Sequence, residues 1–164
     1  FITKVPKDNQ FPLHYYLSAF GAVGLTAYFG IKDAAQLKPG DTLLLSGKML
    51  TGRDAAHKKM TDILARGEQL PVDLTGRFIY YVGPVDPVRD EVMGPAGPTT
   101  ATRMDKFTDF IIEHTGLLGM IGKAERGPEG VAAIKKHGAV YLMAVGGAAY
   151  LVSKAMQILI GVFL

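Results

Sequence analysis

Arg53, Thr99, Arg103 and Lys123 are the side chains whose types and setting best suit chemistry, and that chemistry is the grip on an anion. They stand where predicted strands give way to helices. Gly52-Arg53-Asp54 is followed one helical turn on by His57, and Gly97-Pro98-Thr99-Thr100 by Arg103. Gly122-Lys123 and Gly146-Gly147 mark two further junctions. A helix N-terminus presents unpaired N–H groups and a partial positive charge. A guanidinium adds a planar fork that matches a carboxylate. Two arginines from different junctions would hold the two carboxylates of a small diacid, with the Thr99 hydroxyl between them. Spacing alone leaves a plainer arrangement open: Arg53 and Arg103 as surface residues, Thr99 or Thr100 as an N-cap, and Lys123 as a solvated loop cation.

Other chemistries find less support. The 164 residues contain no cysteine, so they supply no disulfide, thiolate nucleophile or cysteine ligand to zinc or an iron–sulfur cluster. The four histidines show no metal-ligand spacing, and no metal ligand is expected from them. His114 and His137 each precede a glycine closely and read as cations near helix C-termini. A net charge of +3 without a basic stripe interleaved with aromatics argues against nucleic acid. No G-x-x-x-x-G-K-[ST] occurs, no G-x-G-x-x-G lies at a strand-to-helix junction, and no G-x-S-x-G is present. Leu17–Ile31 is apolar but shorter than the roughly 20 residues a spanning helix needs, so no membrane anchor is expected. The tail from Met156 to Leu164 reads as a buried terminal strand.

The elements that must position these residues follow from periodicity and punctuation. A hydrophobic fraction of 48% with 20% charged residues predicts one globular domain over residues 1–164. "TLLLSG" reads as a buried strand after the Pro39-Gly40 turn. "TGRDAAHKKMTDILARG" reads as a helix with Thr51 as N-cap, Asp54 complementing the dipole, and Ala56, Met60, Ile63 and Leu64 as its apolar stripe. "RFIYYVG" and "LLGMIG" are strands, and the helix between them starts at Thr99 and stops near Gly116. Pro128 opens the next helix and Gly138 closes it. "AVYLMAV" is a buried strand before an Ala-rich helix. Strand and helix alternate about four times, which predicts an α/β architecture with parallel strands. Ligands then collect at the carboxyl ends of the strands.

Five blocks carry a family resemblance: "LSGKMLTGRDAAHKKM", "IYYVGPV", "GPAGPTTATRMDKF", "GMIGKAERG" and "GAVYLMAVGGAAYLVSKA". In this order, spanning residues 37–155, they resemble the C-terminal domain or separate β subunit of class I fumarate hydratases. They are also similar to L-tartrate dehydratase β subunits. The first thirty residues carry no such block. The resemblance implies a swivelling β/β/α domain and the reversible hydration of fumarate to (S)-malate. It also implies a 4Fe-4S cluster held by cysteines of a cluster-bearing α subunit or N-terminal domain, not by this chain. Arg53, Arg103 and Lys123 match the family's carboxylate-binding cations. Thr99 matches a threonine at the substrate, which either transfers a proton or positions the diacid. Asp54 and His57 match the family's "RDxAH" pattern and stand behind these residues, either orienting Arg53 or pairing with each other across a turn, and Thr100 joins them there. A further dimer and a cytoplasmic location, or the mitochondrial matrix in a eukaryote, are expected on the same ground. L-tartrate or another 2-hydroxy diacid is the alternative substrate, and a non-catalytic anion-binding module is the alternative class. Beginning at Phe1 rather than Met, the chain is expected to be processed or part of a longer one.

Overall fold

The structure, a computed structural model, describes residues 2–4, 43–45, 47–83, 85–87, 89–144, 147 and 149–156. The chain divides into two compact units, residues 1–48 and 49–164. In the first, β1 (Ile2–Lys4) pairs antiparallel with β2 (Leu43–Leu45). The second holds every residue proposed for the site. Its described elements are β3 (Leu50–Thr51), α1 (Asp54–Ala65), β4 (Phe78–Tyr80), a 3-10 turn (Ala101–Met104), α2 (Asp105–Thr115), β5 (Gly119–Gly122), α3 (Pro128–His137), β6 (Val140–Met143) and α4 (Ala149–Ala155).

β3, β4, β5 and β6 form one parallel sheet in chain order. Each consecutive pair is joined through a helix, as parallel neighbours require. α1 packs on α2 and α2 on α3, the arrangement that right-handed crossovers in a sequential sheet produce. The expected α/β architecture with parallel strands is therefore present. β4 and β5 are buried along their whole length, as central parallel strands usually are. The core between sheet and helices contains Met60, Ile79, Tyr81, Met104, Ile111, Ile112 and Met120. Each such side chain contributes roughly 1.5–3 kcal/mol by leaving water.

The predicted helix ends are largely reproduced. Gly116 and Gly138 close α2 and α3 in the left-handed region, both at φ 65°, where a Cβ would be strained. Pro128 opens α3. Other expectations need correction. Leu43–Leu45 of "TLLLSG" belong to the antiparallel pair, and the strand that feeds the Arg53 junction is the two-residue β3. Thr51 lies in that strand; the α1 cap position is Arg53, which makes no side-chain capping bond. The helix expected from Thr99 starts only at Ala101, first as a 3-10 turn. β6 is half-buried rather than buried, and Met143 is 66% exposed. Leu17–Ile31 and the predicted terminal strand fall outside the described residues, apart from Met156. Among the described residues, no helix is long and apolar enough to cross a membrane.

Candidate active site

β4 and β5 end side by side, and the site hangs from those ends. Thr99 donates its N–H to the Tyr81 carbonyl at 2.6 Å, and its own carbonyl accepts the Lys123 N–H at 2.9 Å. The Ala101 N–H returns to the Lys123 carbonyl at 2.9 Å. Thr100 therefore bridges Lys123 in parallel fashion. The Gly-Pro-rich loop lays Thr99 and Thr100 across the strand ends in extended form, and coiling begins after them. Thr100 occupies the cap position of the 3-10 turn without a side-chain capping bond. The N–H of Ala101, which opens that turn, is already taken by Lys123. The helix end thus contributes less to anion binding than expected, and the side chains more.

Arg53 reaches the same place from β3. It is extended (φ −136°, ψ −151°) and exposed. Its guanidinium lies across Gly83, where a Cβ would stand 2.8 Å from Nε and 2.9 Å from Cζ. Gly83 is two residues beyond Tyr81, the residue that holds Thr99. Arg103 arrives from the 3-10 turn and donates Nε to Asp54 Oδ1 at 2.8 Å, and its two terminal nitrogens have no hydrogen-bond partner among the described residues. Asp54 thus orients Arg103, not Arg53 as one of its two expected roles had it. The Lys123 ammonium is exposed and makes no ion pair among the described residues. All four residues singled out for anion binding converge on the carboxyl ends of β3, β4 and β5.

His57 supports Arg53 from below. Its Nδ1–H donates to the Arg53 carbonyl at 3.0 Å, and the His57 backbone N–H donates to the same oxygen at 2.9 Å. A carbonyl only accepts, so the proton is on Nδ1. The ring is 2% exposed, edge-on to Tyr81 with centroids 5.2 Å apart. Burial lowers its pKa to about 4; the hydrogen bond to Arg53 opposes that shift and the charge of Arg126 adds to it. The imidazole is neutral at pH 7 and fixes the root of Arg53 without adding charge.

A buried network behind the site was not foreseen. Arg126 donates Nε to Asp105 Oδ1 at 2.6 Å and Nη1 to the Tyr81 hydroxyl at 3.0 Å, and Nη2 bonds the Thr108 hydroxyl. Asp105 Oδ2 accepts the Gly127 N–H at 2.7 Å. Burial raises the pKa of the Tyr81 hydroxyl, which stays protonated. Nearby, Ala124 holds a left-handed φ of 63°, and the Tyr141 hydroxyl donates to its carbonyl at 2.6 Å. Such a backbone costs about 1–2 kcal/mol for a non-glycine residue and persists only where its surroundings hold it. "KAERGPEG" carries one legible signal, an arginine followed by two tightly packed glycines, Gly127 and Gly130. Its partner 21 residues away is not legible.

One set of candidate metal ligands converges among the described residues: Asp109, Glu113 and His137. It lies toward the C-terminal ends of α2 and α3, away from the strand ends. Lys136 and His137 already pair with Asp109 there, so it reads as surface pairing. His114 and His137 take the predicted places in the last turns of their helices.

Comparison with known proteins gives a family match. The family model described as fumarase C-terminus matches residues 13–162. The match takes in much of the N-terminal region that carried no recognisable block. A chain from Geobacillus stearothermophilus named as a class I fumarate hydratase is 38% identical over 131 residues, 77% of this chain and 24% of its own length. A chain from Methanocaldococcus jannaschii named as the beta subunit of an L(+)-tartrate dehydratase is 38% identical over 128 residues, 77% of this chain and 66% of its own. The aerobic class I fumarate hydratase of Salmonella typhimurium is 37% identical over 119 residues, 73% of this chain and 20% of its own. The chain thus spans about a quarter or less of these fumarate hydratases and about two thirds of the tartrate dehydratase subunit. With three cations and a threonine on adjacent strand ends and a family match over most of its length, the chain belongs to the fumarase C-terminus family.

Proposed function

We propose that this chain is the substrate-gripping part of a hydro-lyase that adds water reversibly to fumarate to give (S)-malate. The observation that carries the reading is the convergence of Arg53, Arg103, Lys123 and Thr99 on neighbouring strand ends. Three cations match a ligand with two carboxylates. In this reading the parallel sheet belongs to a swivelling β/β/α domain, and the exposed site is closed by another domain or subunit. Association into a further dimer is part of the same reading.

The residues here do not fit an iron–sulfur cluster. The site offers ammonium, guanidinium and hydroxyl groups, and the chain has no cysteine. The cluster implied by the family resemblance would belong to an α subunit or N-terminal domain, and would supply the Lewis acid for the substrate hydroxyl. This chain's residues do the rest. The terminal nitrogens of Arg103 and the fork of Arg53 each hold a carboxylate, and Lys123 completes the charge balance. Asp54 and His57 keep the two arginines in place, and Thr100 sets the position of Thr99. The Thr99 hydroxyl faces the bound diacid, where surrounding cations favour its alkoxide over that of an isolated alcohol.

L-tartrate is the second reading, because a chain named as a tartrate dehydratase beta subunit is as similar to this one, at 38% identity, as the fumarate hydratase relatives are. The test is anaerobic reconstitution of the chain with a cluster-bearing partner, assayed with fumarate and with L-tartrate. Turnover of fumarate is the expected result, and tartrate dehydration without it would select the second reading. Diacid binding without turnover by a cluster-loaded pair would leave an anion-binding module. The absence of both binding and turnover in a cluster-loaded pair would refute the proposal.

A further inference from the structure

Arg126 and Asp105 stand outside the anion-binding set, yet they join the segments that carry it. Their side chains are 2% and 9% exposed. Asp105 follows Arg103 by two residues, and Arg126 follows Lys123 by three. The third member, Tyr81, holds Thr99 through its backbone carbonyl and Arg126 through its hydroxyl. We infer that Arg126 is a positioning residue: by tying Asp105, Thr108 and Tyr81 together it sets the spacing between Arg103 and Lys123, and so the span between two gripped carboxylates. This rests on the dicarboxylate reading above.

The geometry is over-determined in the way a spacer needs. The guanidinium carbon lies 5.7 Å from the Tyr81 ring centroid and 5.3 Å from that of Tyr141. Tyr141 in turn holds the strained turn at Ala124, next to Lys123. Gly127 and Gly130 press on the pair from α3: a Cβ at Gly127 would stand 2.7 Å from Asp105 Oδ2, and one at Gly130 would stand 2.7 Å from its carboxyl carbon. The turn from Lys123 to Gly127 is therefore fixed at its apex and at its far end. A buried ion pair gives little net stability over apolar residues of the same volume. What it adds is direction. A guanidinium fork accepts one arrangement of partners, whereas apolar side chains accept many. Lysine at this position could pair with Asp105 but could not also reach Tyr81 and Thr108 in the same plane.

The test uses the assembled, cluster-loaded enzyme with Arg126→Lys and with the charge-neutral double variant Arg126→Met, Asp105→Asn. The readouts are KM for fumarate, thermal midpoint, and the inhibition constants of succinate and glutarate, diacids that differ by one methylene. A fixed span favours the shorter diacid. Both variants are expected to raise KM by about tenfold and to bring the two inhibition constants together, with Arg126→Lys milder. The folded enzyme's spectroscopic cluster signature should stay as in the wild type. Wild-type KM and unchanged discrimination in folded variants, with only a lower thermal midpoint, would overturn the inference. So would failure of both variants to fold, since the pair would then be a stability element. If the wild-type enzyme itself neither binds nor turns over a diacid, the functional reading has failed and this inference falls with it. An active wild type with indifferent variants sinks the inference alone.

Discussion

Arg53 lies over the end of β4 because residue 83 has no side chain. The guanidinium occupies the space a Cβ would need, so Gly83→Ala pushes it off the strand end while leaving the backbone little changed. The expected result is a several-fold rise in KM for the dicarboxylate and a thermal midpoint close to wild type. A variant with normal KM would show that Arg53 binds from elsewhere. Thr99 poses a different question, because its backbone is tied down on both sides while its hydroxyl caps no helix. Thr99→Ala keeps those backbone bonds. If the hydroxyl transfers a proton, kcat falls by roughly 10²–10⁴; if it only positions the diacid, KM rises instead. Near-normal values of both constants would remove Thr99 from the site. The placement of these residues near strand ends was legible from their types and from the glycines close by. The partner of Asp54 was not, because Arg103 lies 49 residues away and nothing local distinguishes it from Arg53.

The elements owe their precision to the close approach of β4 and β5. A Cβ on Gly119 would clash with the edge of the Phe78 ring, 2.5 Å from Cδ1, in a strand with no exposed residue. Gly119→Ala is expected to destabilise by about 1–3 kcal/mol, as overpacking does in a filled core. A denaturant midpoint equal to wild type would show that the ring has room to turn. Helix boundaries were readable because their signals are local. Proline fixes φ at the first turn of α3, and glycine accepts the left-handed closure of α2 and α3. Strand lengths were harder. Two residues of β3 carry no period, whereas the longer apolar run of β2 reads as the strand that feeds Arg53. The helix after Thr99 begins two residues later than its sequence signals, because pairing with Lys123 keeps Thr99 and Thr100 out of the helix.

At the scale of the molecule, His57 couples folding to pH. Unfolded, an imidazole takes up its proton near pH 6.5; buried here, it does so only at about pH 4. Between those values the unfolded state binds more protons. Stability from this group is therefore complete above about pH 6.5 and is lost as pH falls toward 4, by on the order of 3 kcal/mol. His57→Asn, whose amide can still donate to the Arg53 carbonyl, should flatten that limb. Urea midpoints at pH 7 and pH 4.5 measure it, and an equal slope in the variant would assign the acid loss to other groups.

By itself the sequence determined the alternation of strand and helix, most helix ends, the junctions at which the candidate anion-binding residues stand, and the family. Each depends on signals within one turn or one short block: periodicity, a proline or glycine at a boundary, a cation beside a glycine. Only the tertiary structure decided which strand feeds Arg53, that Asp54 serves Arg103, and that a buried arginine stands behind the site. Those contacts join residues some 20 to 50 positions apart. Packing selects such partners from many chemically equivalent side chains, and no local pattern records the choice.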